Sequence, residues 1–227
     1  MYKQTSFLVT VLLLGSLVTT TPLVVVRAEV LVAQASNERL KELLEEGRRL
    51  VDAGDYNGAI AVYQEAGKLD PRNAKIHSGI GYLYAQQSNF QLALAAYRRA
   101  ITIDPNNSDF YYAVGYIKGN TGDTRGAKEA YRRAIQLNRN NVNAYLGLGV
   151  TQTTLGDYES AIWAYEQAIN LNRNNPRTYE LMGSMFKQRR QTQQASNVLR
   201  KALNLYRSSN DPEGIDRVEA LLREIGG

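Results

Sequence analysis

Apolar residues recur at helical spacing along most of the chain, in short segments separated by polar turns. In one segment Ile76, Ile80, Leu83 and Tyr84 share a face, and Leu94, Tyr97 and Ile101 follow in the next. This spacing predicts a helix over 74–87, a turn at Ser88-Asn89 and a second helix over 90–101. The same two-helix pattern returns at a fixed step. Gly47, Gly81, Gly115, Gly149 and Gly183 lie 34 residues apart. So do Ala59, Ala93, Ala127, Ala161 and Ala195, and likewise Ala66, Ala100, Ala134, Ala168 and Ala202. Tyr63, Tyr97, Tyr131 and Tyr165 keep that step, with Leu199 in the fifth place. Ladders in one register identify a repeat architecture.

The ladders have a steric reading. Glycine inside a helix costs about 1 kcal/mol relative to alanine, so its return at one position implies a packing need. Two helices that cross closely require a side chain of almost no volume, and the large ladder residue fills the adjoining gap. The turns agree. Gly54-Asp55, Gly122-Asp123 and Gly156-Asp157 each join a glycine stop to an N-cap for the next helix. Asp70-Pro71 and Asp104-Pro105 end two repeats, where Asn138-Arg139 and Asn172-Arg173 end two others. Asn106-Asn107, Asn140-Asn141 and Asn174-Asn175 are expected to cap the helices after them.

These ladders resemble the tetratricopeptide repeat: glycine at the eighth place, alanine at the twentieth and twenty-seventh, an aromatic residue at the twenty-fourth. The resemblance runs from residue 40 to about residue 209. It departs at Arg139, Arg173 and Arg207, which replace the family's proline, and at Arg190-Gln191-Thr192 in the last turn. It implies an all-α, right-handed superhelical solenoid of five helix-turn-helix units, at 40–73, 74–107, 108–141, 142–175 and 176–209. The solenoid region would begin at Ser36. Asp211-Pro212-Glu213 then opens a capping helix within 210–227, with Ile215, Val218, Leu222 and Ile225 inward and Arg217 and Glu219 outward.

Residues 1–35 differ from the rest. Lys3 precedes the apolar run Phe7–Val18, and Ala33-Gln34-Ala35 forms an A-x-A pattern, as in an export signal cleaved before Ser36. The alternative is an uncleaved anchor, because no charge interrupts residues 4–26. Both place the repeats on the non-cytoplasmic side, and the combination looks like that of exported or membrane-tethered bacterial repeat proteins.

Composition narrows the chemistry. There is no cysteine and one histidine, His77, so a zinc site or a Ser–His triad lacks its parts. His77 stands where Tyr111, Tyr145 and Tyr179 stand in later repeats, which makes it a packing residue. No phosphate-binding loop occurs, and neighbouring carboxylates lie on solvated helix faces. Neither an enzyme nor a cofactor is expected. The net charge of +5 is scattered, with no motif for reading nucleic acid.

Function then falls to the solenoid surface. By the resemblance, the first helices of successive repeats line a concave groove. This selects Arg48, Lys75, Tyr82, Gln86, Tyr112, Tyr116, Asn120, Asn143, Leu146 and Val150 as the candidate partner-binding residues. Repeat five would add Arg177, Glu180, Ser184 and Gln188. The expected function is a scaffold or adaptor that binds a protein or peptide there and aids assembly of a complex outside the cytoplasm. The alternative is a self-associating structural element using the end repeats or the convex face. On that face Arg98-Arg99, Arg132-Arg133 and Arg200-Lys201 recur, interrupted by Glu166-Gln167.

Overall fold

The computed structural model describes residues 22–226. The apolar run Phe7–Val18, on which the export signal rests, lies outside them. Eleven helices account for nearly all the described residues: α1 Pro22–Asp52, α2 Tyr56–Leu69, α3 Ala74–Gln86, α4 Phe90–Ile103, α5 Ser108–Asn120, α6 Thr124–Leu137, α7 Val142–Thr154, α8 Tyr158–Leu171, α9 Pro176–Gln188, α10 Thr192–Ser208 and α11 Pro212–Glu224. The chain divides into two compact units at Glu42/Leu43. The described part of the first is the leading stretch of α1. The second, from Leu43 onward, is a solenoid of helix pairs.

The first helix begins at Pro22 and passes through Ala33-Gln34-Ala35 without a break. Pro22 suits a first helical turn, and the residues after it contain no glycine or further proline before Gly47. Among the described residues no helix is long and apolar enough to cross a membrane.

Within each pair the ladder residues meet. All ten alanines of the two ladders have 0% exposure, so at these points the helices touch through methyl groups. A Cβ added at Gly81 would lie 2.8 Å from the Tyr97 ring, one at Gly115 2.8 Å from Tyr131, and one at Gly149 2.6 Å from Tyr165. At Gly183 it would meet Leu199 at 2.6 Å. Each large ladder side chain therefore lies directly on the glycine of its own repeat. Tyr131 also presses on Gly147 of the following repeat, a contact between repeats that the ladders do not reveal. Burial, followed by the neighbouring Tyr82, pushes the Tyr97 phenol up to about 12, so this ring packs as a neutral group.

Turn chemistry is also repeated. Asp55, Asp123 and Asp157 accept hydrogen bonds from the backbone N–H of Gly58, Gly126 and Ser160. Asn73, Asn107, Asn141 and Asn175 cap the first helices of repeats two to five. At Arg139 and Arg173 the preceding asparagine closes the turn as Asp104 does before Pro105. Asn138 and Asn172 accept from the N–H of Asn140 at 3.0 Å and of Asn174 at 3.1 Å, and Asp104 from that of Asn106 at 3.2 Å, while Arg207 lies inside α10. Arginine at positions 139 and 173 therefore leaves the repeat boundary intact.

The left-handed residue between the two helices of a pair is Gly54, Gly122 or Gly156 in three repeats, but Ser88 (φ 58°) and Arg190 (φ 59°) in the others. The backbone bond across the turn is the same with either kind: Asn89 N–H reaches the Tyr84 carbonyl at 2.8 Å, and Asp157 N–H reaches that of Gln152 at 2.9 Å. Serine and arginine carry the steric penalty of this conformation, and glycine does not. Ser88→Gly and Arg190→Gly should each raise stability by about 0.5–1 kcal/mol in urea unfolding, and Gly122→Ala should lower it by about 1 kcal/mol.

Candidate partner-binding groove

The first helices α3, α5 and α7 present a common face built from equivalent repeat positions. Between α3 and α5 lies a depression of about 570 Å³, lined by Tyr82, Gln86, Asp109, Tyr112, Tyr116 and Asn120, together with Phe90, Ala113 and Ile117. A second, of about 480 Å³, continues toward α9 and is lined by Tyr112, Tyr116, Asn120, Asn143, Leu146, Val150 and Arg177. Because Tyr112, Tyr116 and Asn120 belong to both, the two form one trough. Eight of the ten residues selected from sequence thus come together. Arg48 and Lys75 line a separate, smaller depression of about 220 Å³ with Leu44, Tyr63 and Asn73.

The three tyrosines differ in environment. Tyr82 and Tyr116 occupy the same place in consecutive repeats, and both are half in solvent, at 51% and 53% exposure. Tyr112 is partly buried, its ring 6.0 Å from the Tyr131 ring and tilted by 47°. Burial, and then the adjacent Tyr116, push its phenol up. Tyr112 is therefore partly a packing residue, whereas Tyr82 and Tyr116 present their rings to solvent along the trough. The rim is mostly uncharged, with Asp109 on one side and Arg177 at the far end. Asn120 donates to the Tyr116 carbonyl at 2.9 Å, which fixes its amide at the edge of the trough.

At the last repeat the face closes. Glu180, a groove position by sequence, is 4% exposed. Its carboxylate accepts from Tyr206 Oη at 2.5 Å, Arg177 Nη1 at 2.6 Å and Arg217 Nε at 3.2 Å. Arg217 stays on the exposed side of α11, as expected, with its side chain 45% accessible while its guanidinium reaches over to Glu180. Glu219 is likewise engaged, accepting from Arg207 Nη2 at 2.8 Å. Lys187 and Glu224 form a further ion pair between α9 and α11. Val218 and Leu222 of α11 bury against the α10 residues Leu199 and Tyr206. Helix α11 thus covers the end of the array and removes Glu180 from the exposed surface of the groove. The sequence signal for this closure is slight: a lone glutamate among polar groove positions.

His77 lies outside the trough. Its Nε2 is 3.3 Å from the Pro71 carbonyl oxygen, and in the equivalent places Tyr111 and Tyr179 donate to the carbonyls of Pro105 at 3.2 Å and Arg173 at 3.0 Å. This is a tie between a first helix and the turn before it. Among the described residues no group of histidine and carboxylate side chains is arranged to hold a metal ion.

Two outcomes follow for variants. Tyr82→Ala and Tyr116→Ala should leave unfolding free energy within about 0.5 kcal/mol of the parent, while Tyr112→Ala should lower it by about 1–2 kcal/mol. Burial raises the Glu180 carboxyl, but the hydrogen bonds from Tyr206, Arg217 and Arg177 together hold it below the usual carboxylate range. A carboxyl lowered by folding contributes stability above its unfolded value, near 4.3, and loses that contribution as pH falls through the folded value. The parent should lose thermal stability in acid more steeply than Glu180→Gln, as measured by melting between about pH 3 and pH 7.

Comparison with known proteins agrees with this architecture. The family model of the tetratricopeptide repeat matches residues 44–108 and 112–176. A crystal structure of MamA is 26% identical, with a TM-score of 0.67, over 72% of this chain and 96% of that one. MamA of Desulfovibrio magneticus RS-1, from its residue 41 to the end, superposes with a TM-score of 0.70 at 18% identity, over 75% of this chain and 96% of that one. YrrB, described as a TPR protein with an unusual peptide-binding site, superposes with a TM-score of 0.64 at 18% identity, over 83% of this chain and 99% of that one. The last two likenesses concern the fold alone. With the repeat matched over more than half of its length and the Gly–Tyr ladders in place, the chain belongs to the tetratricopeptide-repeat family.

Proposed function

We propose that this protein is a non-enzymatic scaffold that holds a segment of a partner protein in the trough along α3, α5 and α7. The observation that carries the reading is the pair Tyr82 and Tyr116, two half-exposed rings one repeat apart over a continuous depression. Exposed tyrosines offer large contact area at small entropic cost, and helices pre-organise them. The family supports a protein or peptide as the ligand class, and the peptide-binding site ascribed to YrrB is a precedent on the same fold. The trough suits an extended or helical segment with few charges, and Arg48 and Lys75 suit an acidic flank. Binding requires no cofactor.

The scaffold acts outside the cytoplasm and aids assembly of a complex there. Support for this comes from the sequence, in the apolar run Phe7–Val18 and the Ala33-Gln34-Ala35 pattern. Cleavage would release a chain beginning at Ser36, and retention would leave the repeats tethered.

Full-length protein with a C-terminal tag, crosslinked in a related host and captured, tests both parts. The expected result is one dominant protein partner, reduced at least about tenfold by Tyr82→Ala/Tyr116→Ala, with an intact mass beginning at Ser36. Capture that is indifferent to the double variant would refute the trough as the binding surface. A mass retaining Met1 would refute cleavage.

A further inference from the structure

The opposite face of repeats three and four carries a feature that does not depend on the trough. Between α6 and α8 lies a cleft of about 630 Å³, lined by Lys128, Arg132, Gln136, Glu159 and Trp163, with Leu148 and Gln152 of α7 also contributing. Trp163 is the only tryptophan in the chain and is 49% exposed, its ring edge-on to Tyr145 at 5.8 Å. Gln152 is buried, and its Oε1 has no hydrogen-bond partner among the described residues. In repeats two and five the same place holds Tyr84 and Phe186. A half-exposed indole beside a cleft and an unsatisfied acceptor beneath it mark a surface suited to being covered.

The charges indicate what covers it. Helices α6 and α8 are second helices of consecutive pairs, so they run in the same direction with equivalent residues at similar height. Arg125 and Arg132 on α6 correspond, 34 residues on, to Glu159 and Glu166 on α8. Helix α6 carries Arg125, Lys128, Arg132 and Arg133 against Glu129 alone, whereas α8 carries Glu159 and Glu166 and no cation. A two-fold axis lying in this face, parallel to the helices and midway between them, places α6 of one copy over α8 of another. Arg125 then meets Glu159 and Arg132 meets Glu166, and symmetry repeats both pairs. The other in-plane two-fold places α6 on α6, cation against cation, and is disfavoured. Existing partners are weakly held: Arg132 lies 3.6 Å from its own Glu129 and Glu159 lies 3.7 Å from Arg189, with the Glu159 side chain 87% exposed.

We infer that the α6–α8 face is a homodimer interface, with a second copy of this chain docked across Trp163 and the trough left open. The self-complementary pattern favours a second copy over an unrelated partner, because opposite signs recur in register on neighbouring helices. Association should weaken with salt, as ion pairs at a rim do.

Sedimentation of the full chain at low ionic strength, together with the emission of its single tryptophan on dilution, tests this. A dimer is expected, with Trp163 emission moving to longer wavelength as the dimer dissociates. Arg132→Glu alone and Glu166→Arg alone should each weaken the dimer at least about tenfold, since symmetry turns two attractions into two repulsions. The double variant should recover to within about threefold of the parent, because the pairs are then exchanged. Both sites are exposed, and circular dichroism would verify that each variant remains folded. A chain that stays monomeric overturns the proposal, and Trp163 shielded only in a complex with another protein would assign the face to that partner. A dimer indifferent to the charge reversals, or one the double variant fails to recover, also overturns it.

Discussion

The contact on which the rest of the structure depends is a large side chain laid on a glycine. Tyr97 on Gly81, Tyr131 on Gly115 and Tyr165 on Gly149 set how closely the two helices of each repeat approach. A methyl group at any of these glycines would need to occupy space that a ring already fills. The alanine ladders act with this contact, since their complete burial lets the paired helices touch along their length. Tyr131 extends the same logic across a repeat boundary by pressing on Gly147, so the spacing between repeats is also set by a ring on a glycine. Such contacts are local in a solenoid, and each repeat depends chiefly on its neighbours.

That locality explains why the fold was legible in the sequence. A contact remade every 34 residues leaves ladders that identify both helices, their crossing and the turns between them. The asparagine caps were legible for the same reason. Features that occur once were not. The exposed place of Arg217 on the capping helix was legible, but its bond to Glu180, made once where α11 meets the last groove positions, was not. Gly147 was hard to see because glycine recurs at its place only as Gly79, in repeat two, where it faces Tyr63.

For the candidate site, repeat arithmetic brought Tyr82, Tyr112, Tyr116 and Asn120 to one face, and the structure places them along one trough. Spacing alone could not separate the roles of the rings. Tyr112 leans on Tyr131 and belongs partly to the packing, while Tyr82 and Tyr116 stand clear of it. The regular packing produces the asymmetry between the two faces. First helices supply uncharged aromatic positions, second helices supply the charged outer stripe, and α11 closes the end. On the proposed reading, the trough takes the partner and the α6–α8 face takes the second copy.

A photo-crosslinking amino acid at Gln86 or Asn120, compared with one at Lys68 on the exposed side of α2, tests the central claim most directly. Binding in the trough predicts adducts to one and the same partner protein from positions 86 and 120 and none from position 68. Adducts from position 68 with silence at 86 and 120 would contradict it and move the partner to the outer surface.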